Sequence, residues 1–313
     1  MRFQGEFAAL GAAMVWTVAS VIYSKVGAQI APLVLNLAKG AIAIALTLGT
    51  AIALGAIDAD RGIWVADLDR LAVGSLLLSG AIGIGVGDTA FFRSLNALDP
   101  RRALLLQTLA PPLSALLAIA VLQESLSPRA WFGIVVTMLG IAWAIVAERV
   151  GVSPADRQGT LRGILWGGIS ALAQATGAIL SRGALAETAI DPLVSSLLRL
   201  CAGMLVLLGW LSFGDAPREP LRDRRTRQSL AGLTSPRLFG AIAIAAFLGT
   251  YLGIWLQQMS LKFAPAGIAQ TLSATSPLFA IALARLMGER VTARGTLGAI
   301  VALFGVTLLL TAG

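Results

Sequence analysis

The chain has 313 residues, of which 57% are hydrophobic and 13% charged, with a mean hydropathy of +0.83; a soluble domain carries about a quarter charged residues, so this composition describes an integral membrane protein. Histidine is absent and Cys201 is the single cysteine, which excludes an intrachain disulfide, a His-ligated metal, a Ser-His dyad and a histidine proton relay. The net charge of +8 is carried mostly by arginines between apolar runs, where interfacial anchoring needs them, so no nucleic-acid partner is expected.

A hydrocarbon core about 30 Å thick takes roughly 20 apolar helical residues per crossing. The runs are continuously apolar without strand alternation, which favours a helical bundle over a barrel. The first, Phe7 to Tyr23, resembles a signal core, but "VGAQIAP" behind it is a poor cleavage site, and it is read as a retained helix. In chain order the pattern predicts helices over 5–25, 31–54, 71–97, 102–122, 130–147, 162–183, 191–213, 237–261, 264–285 and 295–311. The charged links "IDADRGIWVADLDR", "ERVGVSPADRQGTLR" and "GDAPREPLRDRRTRQ" lie in water or at the headgroups.

The second predicted helix carries Lys39, seven residues after Pro32 in "PLVLNLAKG"; the seventh carries Arg199, seven residues after Pro192 in "PLVSSLLRL". A shift of 160 superimposes the two segments, together with Gly49 on Gly209. A shift of 165 carries Pro100 onto Pro265, Pro112 onto Pro277, Glu124 onto Glu289, Arg129 onto Arg294, Gly133 onto Gly298 and Gly140 onto Gly305. The fold is therefore all-α and membrane-embedded, with ten transmembrane helices in two five-helix repeats: 1–147, a linker over 148–161, and 162–313. An odd number of spans per copy forces the second copy into the membrane upside down, and inverted repeats enclose a mid-membrane cavity that rocking exposes to alternate sides.

These features together resemble the drug/metabolite transporter superfamily, and within it the EamA-type carriers. The carriers of the resemblance are the paired "PLV…K/R" segments, "GDTAFFRSLNAL", and the endings Pro112–Glu124 and Pro277–Glu289. The resemblance covers nearly the whole chain. It implies a secondary carrier of small metabolites in the bacterial inner membrane, often an exporter, without a cofactor; known members move amino acids, drugs and nucleotide sugars. One departure stands out: the first helix, "FAALGAAMVWTVASVIY", lacks the acid that small carriers of the superfamily place there.

The candidate substrate residues follow from polarity at depth. Asn36 and Lys39 share a polar stripe on the second helix, as Ser196 and Arg199 do on the seventh. Either the cations snorkel to the headgroups, or they face the cavity and attract a substrate carboxylate. Asp88, in "GIGVGDTAFF", is the one acid expected inside a span. It is either the ion-pair partner of Lys39 or Arg199 or a protonatable coupling group, since desolvation and a neighbouring cation push a carboxylate in opposite directions. Gly80, Gly83, Gly85 and Gly87 follow no strand and are read as close-packing positions, not a phosphate loop.

Gln107 and Gln270 precede the turns "APPL" and "SPL", where proline frees backbone carbonyls. Gln174 shares a stripe with Ser170, Gly177 and Ser181 that is expected to line the cavity. Trp16, Phe91, Phe92, Tyr251 and Trp255 lie away from helix ends and suit either packing or an apolar part of the solute, while Trp210 reads as an interfacial belt residue. Glu124 and Glu289 are expected to pair with the arginines that follow them, Arg129, Arg290 and Arg294.

Counting cations by alternate loops gives six on the side of the termini and 16 opposite, which places both termini outside. The resemblance implies cytoplasmic termini, and the two disagree. The favoured substrate is an amino acid or related carboxylate-bearing solute, with Asp88 the candidate should transport be proton-coupled; hydrophobic-drug efflux and a membrane-embedded lipid-handling enzyme are the alternatives. Oligomeric state is not legible.

Overall fold

The computed structural model describes residues 3–27, 30, 32–55, 69–98, 100–147, 157–213, 235–286, 288 and 292–311. Most of the three charged links therefore lies outside the described residues, as do Glu289 and Arg290 and the side chains of Phe92 and Trp210.

The first half comprises α1 (Gln4–Gly27), α2 (Pro32–Ala53), α3 (Arg70–Gly80), the π-helix π1 (Ala81–Asp88), α4 (Thr89–Ala97), α5 (Pro100–Gln107), α6 (Ala110–Leu122) and α7 (Pro128–Ala147). The second comprises α8 (Arg157–Ala186), α9 (Pro192–Phe213), α10 (Pro236–Ala245), π2 (Ala246–Leu252), α11 (Gly253–Phe263), α12 (Ala266–Ser273), α13 (Ser276–Leu286) and α14 (Ala293–Leu310). Among the described residues, nine helical stretches are long and apolar enough to cross a membrane, and Ala110–Leu122 is a shorter apolar helix. With α5 ahead of it, that helix completes a tenth span.

Starts are set by local chemistry. Proline opens α2, α7 and α9, where its missing N–H costs nothing. Asp69, Asp191 and Thr292 cap α3, α9 and α14 by accepting from the backbone N–H groups of Leu71, Leu193 and Gly295. The first-half motif "QE" and the second-half "GE" also share a backbone state. Gln123 has φ 53° and Gly288 has φ 80°, and a 165-residue shift relates them. Both stand where a helix ends in a left-handed residue.

The third and eighth spans depart from the expected plain helices. Each is interrupted by a π-helix at the same repeat position, since Ala81 shifted by 165 is Ala246. The widened turn leaves carbonyls available to partners outside the ladder: Gly87 O accepts from Ser170 Oγ at 2.9 Å. The fourth and ninth spans, expected to be continuous, break at Thr108–Leu109 and Ala274–Thr275. The cause is Pro111, Pro112 and Pro277 at the start of α6 and α13, which supply no N–H to the preceding turn.

The halves interlock by exchange: α3 and π1 pack against α8 and α9 of the other half, while π2 packs against α1 and α2. The closest inter-half seam joins α7 and α14. There Gly133 faces Leu309, Thr137 faces Gly305, Gly140 faces Ala302 and Ala144 faces Gly298. Numbers fall on one helix as they rise on the other, so these equivalent helices run antiparallel, as inverted copies must. A Cβ on Gly140 would stand 2.7 Å from Ala302 Cα, which is why small residues recur along the seam.

Candidate functional site

Arg199 is the most constrained of the candidate residues. It is 4% exposed, so its guanidinium stays inside the protein and does not snorkel. The α9 backbone at Arg199 lies directly against Gly80, and Nη2 would be 3.3 Å from a Cβ on Gly83, beside Gly177. Gly83 of π1 thus lies beside the guanidinium, where a side chain would crowd it. Its Nε and Nη1 are buried without hydrogen-bond partners among the described residues.

Lys39 is half-buried on α2, with Nζ 5.7 Å from the centroid of the Tyr23 ring, a cation–π arrangement. Asn36, one turn earlier, is buried. Asp88 closes π1 and lies within electrostatic reach of both Lys39 and Arg199. Its Oδ1 accepts from Gln174 Nε2 at 3.5 Å. The site thus draws a cation from each half toward one carboxylate at the end of a π-helix.

The α8 stripe corrects the expectation of a cavity wall. Ser170 and Ser181 are fully buried and bind the first half's third span directly. Ser79 Oγ donates to Gly177 O at 2.6 Å and lies 2.8 Å from Ser181 Oγ. Gln107 Nε2 donates to Ser170 Oγ at 2.6 Å, and Ser170 Oγ donates in turn to Gly87 O at 2.9 Å. Gln107, at the break in the fourth span, is therefore tied to the carbonyl immediately before Asp88.

The aromatic candidates separate. Tyr251 is buried on π2, between Phe247 at 5.4 Å and Trp255 at 6.1 Å, and its OH lies 2.9 Å from Thr50 Oγ1. Trp16 is 42% exposed and lies against Gly249. Gln270 is buried in α12, and Phe91 is half-buried on α4. A groove of about 390 Å³, lined by Ile42, Leu46, Ala243, Ile244, Phe247 and Leu248, is apolar, and neither Lys39 nor Arg199 lines it. It is not the wet chamber anticipated between the halves.

Glu124 pairs with Arg182 at 2.6 Å, not with Arg129. The Gln123 turn and the extended stretch that follows α6 carry it toward α8 instead of along its own chain. Gln258, fully buried on α11, was not among the expected site residues; its Oε1 accepts from Ser195 Oγ at 2.9 Å while Nε2 has no partner among the described residues. A glutamine inside an apolar span was the available signal. Among the described residues no group of three or more His, Cys, Asp or Glu side chains gathers as metal ligands would.

Comparison with known proteins agrees with this architecture. Residues 3–146 and 161–311 each match the EamA-like transporter family. No curated protein matches the chain. A solved structure described only as "Crystal structure of protein" is similar over 100% of this chain and 98% of its own, with a TM-score of 0.76 at 17% identity, a likeness of fold alone. Two matched segments spanning nearly all of a multi-pass helical bundle assign it: the chain belongs to the EamA-like transporter family.

Proposed function

We propose that this transporter exports small carboxylate-bearing solutes from the cell across the inner membrane, amino acids foremost, by alternating access between its two halves. The observation that carries the reading is Arg199, buried with unspent donors at the junction of α9, π1 and α8 and sharing Asp88 with Lys39. Two cations and one acid leave a net positive centre in a medium where charge is expensive. A substrate carboxylate would balance it and accept from Nε and Nη1 together, the bidentate geometry at which guanidinium excels.

Tyr251 and Trp255 on π2 and α11 offer an apolar wall for the solute's side chain, and Asp88 would receive its ammonium or a coupling proton. The inverted halves supply the motion, each rocking about the third span that it receives from the other.

The test uses reconstituted proteoliposomes loaded with labelled amino acids. Arg199→Ala is expected to cut carboxylate counterflow by about tenfold or more while the protein stays inserted and monodisperse, and Lys39→Ala is expected to weaken it in the same direction. Undiminished transport in both variants overturns the reading, and export of chemically altered label would favour an enzyme.

A further inference from the structure

Gln258 is 0% exposed, inside a membrane span five residues before its end at Phe263, and half of its amide has no partner among the described residues. Ser195 Oγ donates to Oε1 at 2.9 Å, so the carbonyl end is held and the NH2 end is the one left free. A buried polar group of this kind is nearly always paired in a native protein; a group left unpaired calls for an acceptor that the protein itself does not supply.

Ser195 and Arg199 are four residues apart on α9, hence on one face and roughly 6 Å apart along the axis. Gln258 therefore joins that face one helical turn from Arg199. Its Nε2 and the guanidinium's Nε and Nη1 are all donors, all buried and all without partners among the described residues. These three unspent nitrogens can only donate, so the complementary solute presents acceptor oxygens in two places about one turn apart. Trp255, three residues before Gln258, stands on the same side of α11, with Tyr251 beyond it.

We infer that Gln258 is a specificity-determining contact. It donates to a second oxygen of the solute, distal to the carboxylate held by Arg199, and so favours four- and five-carbon amino acids whose side chains end in a carboxylate or carboxamide. Ser195 is its positioning residue, fixing which end of the amide points to substrate. This inference rests on the reading of Arg199 as the carboxylate anchor, and the experiment separates the two.

Wild type, Gln258→Leu, Gln258→Glu and Ser195→Ala are reconstituted and assayed for counterflow of alanine, aspartate, glutamate, asparagine and glutamine. Wild type is expected to prefer the four solutes with a second oxygen. Gln258→Leu should raise KM for those four by about tenfold with kcat and alanine transport little changed. Gln258→Glu, close in shape, replaces donors with an acceptor and should reject aspartate and glutamate most strongly even if the leucine variant fails to fold. Ser195→Ala should blur the discrimination, since the amide can then rotate. An unaltered solute preference in Gln258→Glu overturns the inference while leaving the Arg199 anchor intact. Loss of all carboxylate counterflow in wild type, or full transport by Arg199→Ala, overturns the anchor and with it this assignment.

Discussion

Arg182 Nε and Glu124 Oε1 meet at 2.6 Å and join the two halves at the membrane face where the termini lie. The pair is the centre of a larger knot. Glu124 Oε2 accepts from Ala266 N at 3.0 Å, and Arg182 Nη1 donates to the carbonyls of Leu261 and Lys262 at 3.0 and 2.8 Å. Lys262 Nζ in turn donates to Ile190 O at 2.6 Å. One end of α6 is thereby bound to the ends of α8 and α11 and to the turns before α9 and α12.

Glu124→Gln removes the charge and keeps the shape. The side chains of Arg182 and Glu124 are about one-sixth exposed, between the exposed pair that contributes little and the enclosed pair whose breaking costs several kcal/mol. A loss of about 2 kcal/mol is the expected outcome, read as a lower unfolding temperature of the detergent-solubilised protein. The charge-reversed double variant Glu124→Arg with Arg182→Glu should recover part of it. An unfolding temperature equal to wild type in Glu124→Gln would mean that the pair holds nothing together.

The seam between the end of α3 and Arg199 makes a sharper demand. A Cβ on Gly80 would lie 2.5 Å from Arg199 Cα, and both belong to helix backbones that cannot swing aside. Gly80→Ala should therefore push α3 off α9 and destabilise the protein by about 2 kcal/mol or more, in line with overpacking a filled interior. Gly74→Ala, six residues earlier on the same helix, meets nothing within 4 Å and should be neutral or slightly stabilising, because alanine is the better helix former. Equal thermal stability of the two variants would contradict the close approach at Gly80.

Much of this fold was legible because hydrophobic length and an internal offset are properties of sequence alone. The pairing of Pro112 with Pro277 and of Gly140 with Gly305 already implies two copies, and both glycines pack in the antiparallel α7–α14 seam, Gly140 against Ala302 and Gly305 against Thr137. The interruption of the third and eighth spans was not legible. A π turn leaves the apolar pattern continuous, and no proline marks Ala81–Asp88 or Ala246–Leu252.

At the site, the sequence supplied the unusual residues but not their partners. Lys39, Asp88 and Arg199 stand out because charge in a span is rare. Ser170 and Ser181 read as a cavity stripe because periodicity identifies a face without saying what it meets; here that face meets glycine backbone, and the hydroxyls bond across it. Glu124 was expected to pair with Arg129 close behind it, yet its partner Arg182 is 58 residues away, beyond anything that local spacing could connect.

Asp88→Asn addresses coupling. The asparagine can still accept from Gln174 through its amide oxygen, so the local bond to α8 survives while the charge shared with Lys39 and Arg199 is removed. If Asp88 carries the coupling proton, the variant should insert normally and exchange labelled substrate across the membrane, but fail to accumulate it against a gradient when a proton gradient is imposed. If Asp88 serves only to balance the two cations, its removal leaves like charges facing one another in a low-dielectric interior, and the protein should lose thermal stability and exchange together. Counterflow and driven uptake measured on the same vesicles tell these apart: loss of the second alone assigns the proton to Asp88, and retention of both removes it from the mechanism.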